Sequence, residues 1–158
     1  ELLDRTVAPA LEASDAARLA HVPPDVRLYA LARNDVANLC SGPVNLGALQ
    51  LLPEARAPAF ARFWTRRAEL RDRYRELVRE LARNERALVS SAELATDIVF
   101  GLVESVITWF ERTGARSAEE VANAVAVAVV RSVVRRPASP ERLRAAADRL
   151  QRDAVRRA

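Results

Sequence analysis

Across residues 92–113 the polar side chains fall on one narrow strip: Asp97, Glu104, Thr108 and Glu111, with Gly101 in line. Nearly every other position there is apolar, including Leu94, Ile98, Val99, Phe100, Leu102, Val103, Val106, Ile107, Trp109 and Phe110. In the second segment, 118–136, the run from Val121 onward is broken only by Asn123, Arg131, Ser132, Arg135 and Arg136. A helix apolar nearly all round must be covered on more than one side. In a short chain the simplest second cover is another copy of the same pair, so the pattern predicts a helical dimer.

The punctuation divides the rest into further helices. A ragged amphipathic stretch, interrupted at Pro9, runs over 2–20. Pro23 and Pro24 suit the opening turn of a helix reaching Cys40, because a proline at a helix start loses no needed hydrogen bond. A short helix is expected over 45–52 and the longest over 58–83, between Pro53, Pro58 and the polar residues after Arg83. Ser90 with Glu93 and Ser117 with Glu120 read as capping boxes for 92–113 and 118–136, with Gly114 placed to end the first. Ser139 and Pro140 open a last, arginine-rich helix with Leu143, Ala146, Ala147 and Leu150 on one face. The run Val-Ala-Val-Ala-Val-Val from position 125 has strand-like composition. The cap before it, Glu119 and Glu120 in the first turn and the arginines in the last favour a helix. The reading is an all-α bundle of about six or seven helices forming one domain over 1–158.

Composition changes this picture little. Half of the 158 residues are hydrophobic and only 4 are glycine, which fits a globular, helix-leaning chain. All 25 basic residues are arginine, which with the alanine content reads as coding bias; the net charge of +4 is spread along the chain rather than gathered in a nucleic-acid patch. Glu141, Asp148 and Asp153 interrupt the arginines of the last helix. No uninterrupted apolar run reaches the roughly 18–20 residues of a membrane span, and the single cysteine, Cys40, fits a reducing cytoplasm. The chain contains no methionine and opens on Glu1-Leu2-Leu3, so a segment upstream is expected.

Two helices carry polar groups in places that ask for partners. On 23–40, Val26, Tyr29, Ala30, Val36, Ala37 and Cys40 form one apolar stripe and Leu28, Leu31, Ala32 and Leu39 another, as in a centrally placed helix. Arg33, Asn34, Asp35 and Asn38 share the same turns, and buried polar groups are costly unless paired. They either partner each other or reach something bound. On 58–83 the stripe runs Phe60, Phe63, Trp64, Leu70, Tyr74, Leu77, Val78 and Leu81, with Arg67 and Arg71 on or beside it. Arg67, next to Trp64 and Tyr74, either clamps a carboxylate, stacks on an aromatic ring, or covers the core with its stem while its head escapes to water.

The run Arg27-Leu-Tyr-Ala-Leu-Ala-Arg-Asn-Asp-Val-Ala-Asn-Leu-Cys resembles the C-terminal half of TetR-family regulators. So do Leu51-Leu-Pro-Glu-Ala-Arg, the stretch from Phe60 to Val78, and the pattern from Ser91 through Trp109-Phe110 to the Val/Ala helix. The resemblance spans essentially the whole chain and implies a bacterial, cytoplasmic, ligand-responsive transcriptional regulator, in most cases a repressor. Its helix-turn-helix head would lie upstream, and residues 1–20 would connect that head to the body. The resemblance places a small-molecule effector among Leu31, Asp35, Asn38, Phe63, Trp64, Arg67, Tyr74, Phe100 and Glu104. Residues 92–136 would form a four-helix bundle with a second copy through Ile98, Leu102, Val106, Phe110, Val121, Val125, Ala128, Val129 and Ser132. Operator DNA would be read by the upstream head and not by this chain.

Catalysis has little support. His21 is the only histidine and sits in a turn beside Val22-Pro23-Pro24, and Cys40 has no histidine near it in sequence to activate it. No glycine-rich phosphate loop or clustered His/Cys set occurs, so we expect no enzyme, metal or cofactor. The competing reading is a helical interaction module that docks its apolar pair on a different protein and binds no small molecule.

Overall fold

The computed structural model describes residues 11–12, 22–41 and 51–157. The stretch 2–20, His21 and all of the 45–52 helix but Leu51 and Leu52 lie essentially outside those residues; Leu51 and Leu52 are exposed.

Five helices account for the described fold: α1 (Pro24–Cys40), α2 (Ala61–Arg83), α3 (Ala92–Trp109), α4 (Ala118–Val133) and α5 (Pro140–Arg157). Helix α1 packs against all four others, most extensively along α4. Both of its apolar stripes are therefore buried: Val26, Tyr29, Val36 and Cys40 on one, Leu28, Leu31 and Ala32 on the other. It opens as its two prolines require, with the Pro23 carbonyl accepting from the amides of Val26 and Arg27 at 3.1 Å.

The long helix starts later than its apolar stripe suggests. Pro53–Arg56 and Pro58–Phe60 wind as short 3₁₀ turns, and α-geometry begins at Ala61. Two prolines five residues apart remove donors from both turns and favour tight i→i+3 closure, as in Phe60 N–H to the Ala57 carbonyl at 2.9 Å. At its far end Glu85 adopts φ 55°, with Arg86 N–H bonding to the Leu81 carbonyl and Glu85 N–H to that of Ala82. This is a Schellman closure built without glycine. It swings Arg86 back toward α1.

Helix α3 is capped by Ser91, whose hydroxyl accepts from Leu94 N–H at 3.2 Å; with leucine at the third helical position the expected Ser90–Glu93 box does not form. The helix ends at Trp109, not at 113, because Phe110 takes extended backbone and packs against the core. Gly114 instead closes the following turn onto the Glu111 carbonyl at 2.9 Å, where a β-carbon would clash with that oxygen. The capping box at α4 forms as read: Ser117 Oγ accepts from Glu120 N–H at 3.2 Å and Glu120 Oε2 from Ser117 N–H at 2.7 Å. Ser117→Ala should cost about 1 kcal/mol, visible as a lower midpoint in urea unfolding with an unchanged slope.

The Val/Ala run lies wholly inside α4. That helix stops at Val133 because Val134 leaves it to form an isolated antiparallel bridge with Ala87. Leu88 N–H to the Val133 carbonyl and Arg135 N–H to the Arg86 carbonyl, both 2.8 Å, lace the α2–α3 loop to the exit of α4. On α5, Leu143 and Ala147 are buried and Ala146 and Leu150 half-buried, the face that the spacing predicts. Among the described residues, no helix is long and apolar enough to cross a membrane.

Candidate functional site

Helices α1, α2 and α3 bring a small polar and aromatic cluster together. Asp35 of α1 is buried at 4% exposure, and the fully buried Tyr74 of α2 donates its hydroxyl to Asp35 Oδ2 at 3.0 Å. The Tyr74 ring meets Phe100 of α3 edge-on, with centroids 5.8 Å apart. Two turns before Tyr74, Arg67 lays its guanidinium over Phe100 at 4.6 Å and within 5.8 Å of the Trp64 ring, and pairs with Glu104 of α3. Phe63 abuts Trp64 at 5.0 Å, and the Trp64 indole donates to the Ala55 carbonyl at 2.6 Å.

The electrostatics follow from burial. Removal from water pushes the Asp35 carboxyl up to about 7, against the Tyr74 hydrogen bond and the attraction of Arg67, which both pull it down. Burial likewise pulls Arg67 down to about 10, with Asp35 opposing and Arg56 and Arg71 assisting. Tyr74 is held well above its ordinary range, first by burial and then by Asp35. Asp35 is therefore the group in this cluster whose charge changes near neutral pH.

Of the expected effector residues, Asp35, Phe63, Trp64, Arg67, Tyr74, Phe100 and Glu104 form this connected set. Leu31 is simply core, at 2% exposure. Asn38 lies one turn beyond Asp35, and its buried Nδ2 has no hydrogen-bond partner among the described residues. Its neighbour Arg33 points elsewhere, to Asp148 of α5 and Glu119 of α4. The sequence reading missed Arg56, which stacks on Trp64 at 4.7 Å. The Pro53/Pro58 spacing was the available signal, since it forces the turn that carries Arg56 against α2.

Two open grooves lie away from this cluster, and none of the candidate residues lines either. One of about 810 Å³ runs between the start of α1 and α5 over Val26, Ala146 and Leu150; one of about 520 Å³ follows α4 past Asn123 and Arg144. Burial pushes the Cys40 thiol up to about 11, so it carries little thiolate at neutral pH. Among the described residues no group of three His, Cys, Asp or Glu side chains is arranged to hold a metal.

The outward faces of α3 and α4 differ in part from the expected interface. Val106, Val121 and Val129 are 1%, 3% and 0% exposed and belong to the chain's own core, so they are withdrawn from that interface. In a helix apolar all round, spacing alone does not say which stripe faces inward. Ile98, Leu102, Phe110, Val125 and Ser132 are half-buried and Ala128 is exposed, while Leu94 and Trp109, outside the expected set, stand out at 53% and 45%.

The model of the tetracycline repressor-like C-terminal domain matches residues 21–133. The chain belongs to the TetR family. Among solved structures, the crystal structure of Mycobacterium smegmatis AmtR is similar at 37% sequence identity and a TM-score of 0.77, over 95% of this chain and 70% of that one. No curated protein matches. The membership makes this a domain of transcription regulators rather than of enzymes. Helix α5 lies beyond the matched span of the family model.

Proposed function

We propose that this TetR-family domain is the effector-binding and homodimerisation portion of a ligand-responsive transcriptional repressor. It would act in the cytoplasm on operator DNA through a helix-turn-helix upstream of residues 1–20. The observation that carries this reading is the Asp35–Tyr74–Phe100–Arg67–Glu104 cluster, which ties three helices together through buried polar groups. A small molecule held by aromatic walls and a few polar groups would compete for those ties. It shifts the regulator only as far as it binds the two arrangements of α1 and α2 unequally. The dimer would form through the partly exposed stripe of α3, from Leu94 past the half-buried Ile98 and Leu102 to Trp109, with Val125 and Ala128 of α4.

Native mass spectrometry of the chain purified from cells tests the effector part. We expect a small-molecule adduct that Arg67→Ala loses and Arg149→Ala keeps. An adduct lost with Arg149, in the groove between α1 and α5, and retained by the Arg67 variant would overturn the assignment.

A further inference from the structure

The groove between the start of α1 and α5 shares none of its described residues with the aromatic cluster. Its volume of about 810 Å³ lies within the ordinary range for small-molecule sites. Val22 and Val26 of α1 line one wall, and Ala145, Ala146 and Leu150 of α5 the other. Among the described residues that line it there is no aromatic ring. Such a lining suits an aliphatic chain rather than a flat ligand, because it offers apolar surface and nothing to stack on.

The rim supplies the charge. Arg142 and Arg149 stand about one turn to either side of Ala145 and Ala146, a spacing that puts all four on one face of α5. Both arginines are exposed, and neither makes an ion pair among the described residues. The neighbouring acids have other duties. Glu141 serves the helix start, where its own backbone amide and then Ser139 hold its carboxyl below the usual range, with Arg144 and Arg131 nearby. Asp148 is turned away to Arg33, and Asp153 lies a turn beyond Arg149. Along α5 as a whole, six arginines stand against three acids, so the charge favours an anion. We propose that this groove binds a single-headed aliphatic acid. Its chain lies along Ala145, Ala146 and Leu150 against α1, and its carboxylate sits between Arg142 and Arg149, whose planar forks match a carboxylate. The groove is open, so the acid exchanges freely and is not carried through purification.

The test is calorimetric titration of the whole chain with sodium decanoate below its micelle concentration. We expect saturable binding of one decanoate per chain, several-fold weaker for octanoate because two methylenes leave the apolar walls. Decanol, with the chain but not the charge, should bind about tenfold more weakly, and Arg149→Gln should cost decanoate a similar factor. Ala145→Trp, at an exposed position, should fill the groove and abolish binding while the helical circular dichroism stays native. An absence of decanoate binding, decanol binding as tight as decanoate, or binding that neither variant weakens would overturn the site. So would attachment of the chain to anionic phospholipid vesicles without saturable uptake of the free acid, which would make this face a membrane contact. The probe is added from outside, so failure here leaves the effector cluster to its own test, which reads a ligand carried through purification.

Discussion

Replacing Arg86 with alanine should destabilise the domain by about 3 kcal/mol, roughly 10 °C in melting temperature for a chain of this size. Asp25 is 2% exposed, and Arg86 holds both of its oxygens, at 2.7 and 3.2 Å. Removing the guanidinium leaves an uncompensated carboxylate in the core. Its position in the first turn of α1 moderates the loss, because the helix dipole favours a negative charge there. Urea unfolding of a double-mutant cycle provides the check: Asp25→Asn combined with Arg86→Ala should recover much of the loss of the single Arg86 variant. If the single variant unfolds at the native midpoint, the pair contributes nothing and our account of the α2–α3 loop is wrong.

Asp35→Asn should act in the opposite direction. Folding raises the proton affinity of Asp35 from the ordinary carboxylate value of 3.8 to about 7. Between those values the folded chain keeps a proton that the unfolded chain has released, so this group's contribution to stability falls as pH rises and levels off above pH 7. Asparagine still accepts from the Tyr74 hydroxyl but never ionises. The variant should lack this part of the pH dependence and exceed the native chain at pH 8 by on the order of 2 kcal/mol, the gain being trimmed by the extra amide donors left to satisfy. Thermal melts at pH 5 and pH 8 decide it: equal pH sensitivity in both proteins would show that Asp35 is not neutral at pH 5.

What was legible in the sequence was mostly helical spacing. The central position of α1 followed from its two apolar stripes, because apolar burial decides it, and the Ser117–Glu120 box from residue types at fixed offsets, because local hydrogen bonding decides that. The helix ends were less legible. Phe110 and Val134 leave their helices for contacts distant in sequence: Phe110 packs into the core, and Val134 bridges Ala87. Asp35 on a buried helix and Arg67 beside an aromatic stripe were legible as polar groups that need partners, whereas Phe100 and Glu104 joined them only through what the family resemblance implies. Tyr29 was read only as part of a stripe. Its 2.6 Å hydrogen bond to Asn123, 94 residues away, could not be seen without knowing that α4 lies along α1.

The central claim is that a second copy of this chain covers the α3–α4 face. Gly101 supplies a probe. It is exposed in the middle of α3, and a β-carbon there would meet nothing within 4 Å among the described residues. A mid-helix glycine costs about 1 kcal/mol against alanine, and close approach of a second helix in the proposed dimer would give it a purpose. Sedimentation equilibrium at micromolar concentration should show a dimer for the native chain and a monomer for Gly101→Leu, with the same helical circular dichroism. A native chain that sediments as a monomer would contradict the claim, and so would a Gly101→Leu dimer of undiminished affinity.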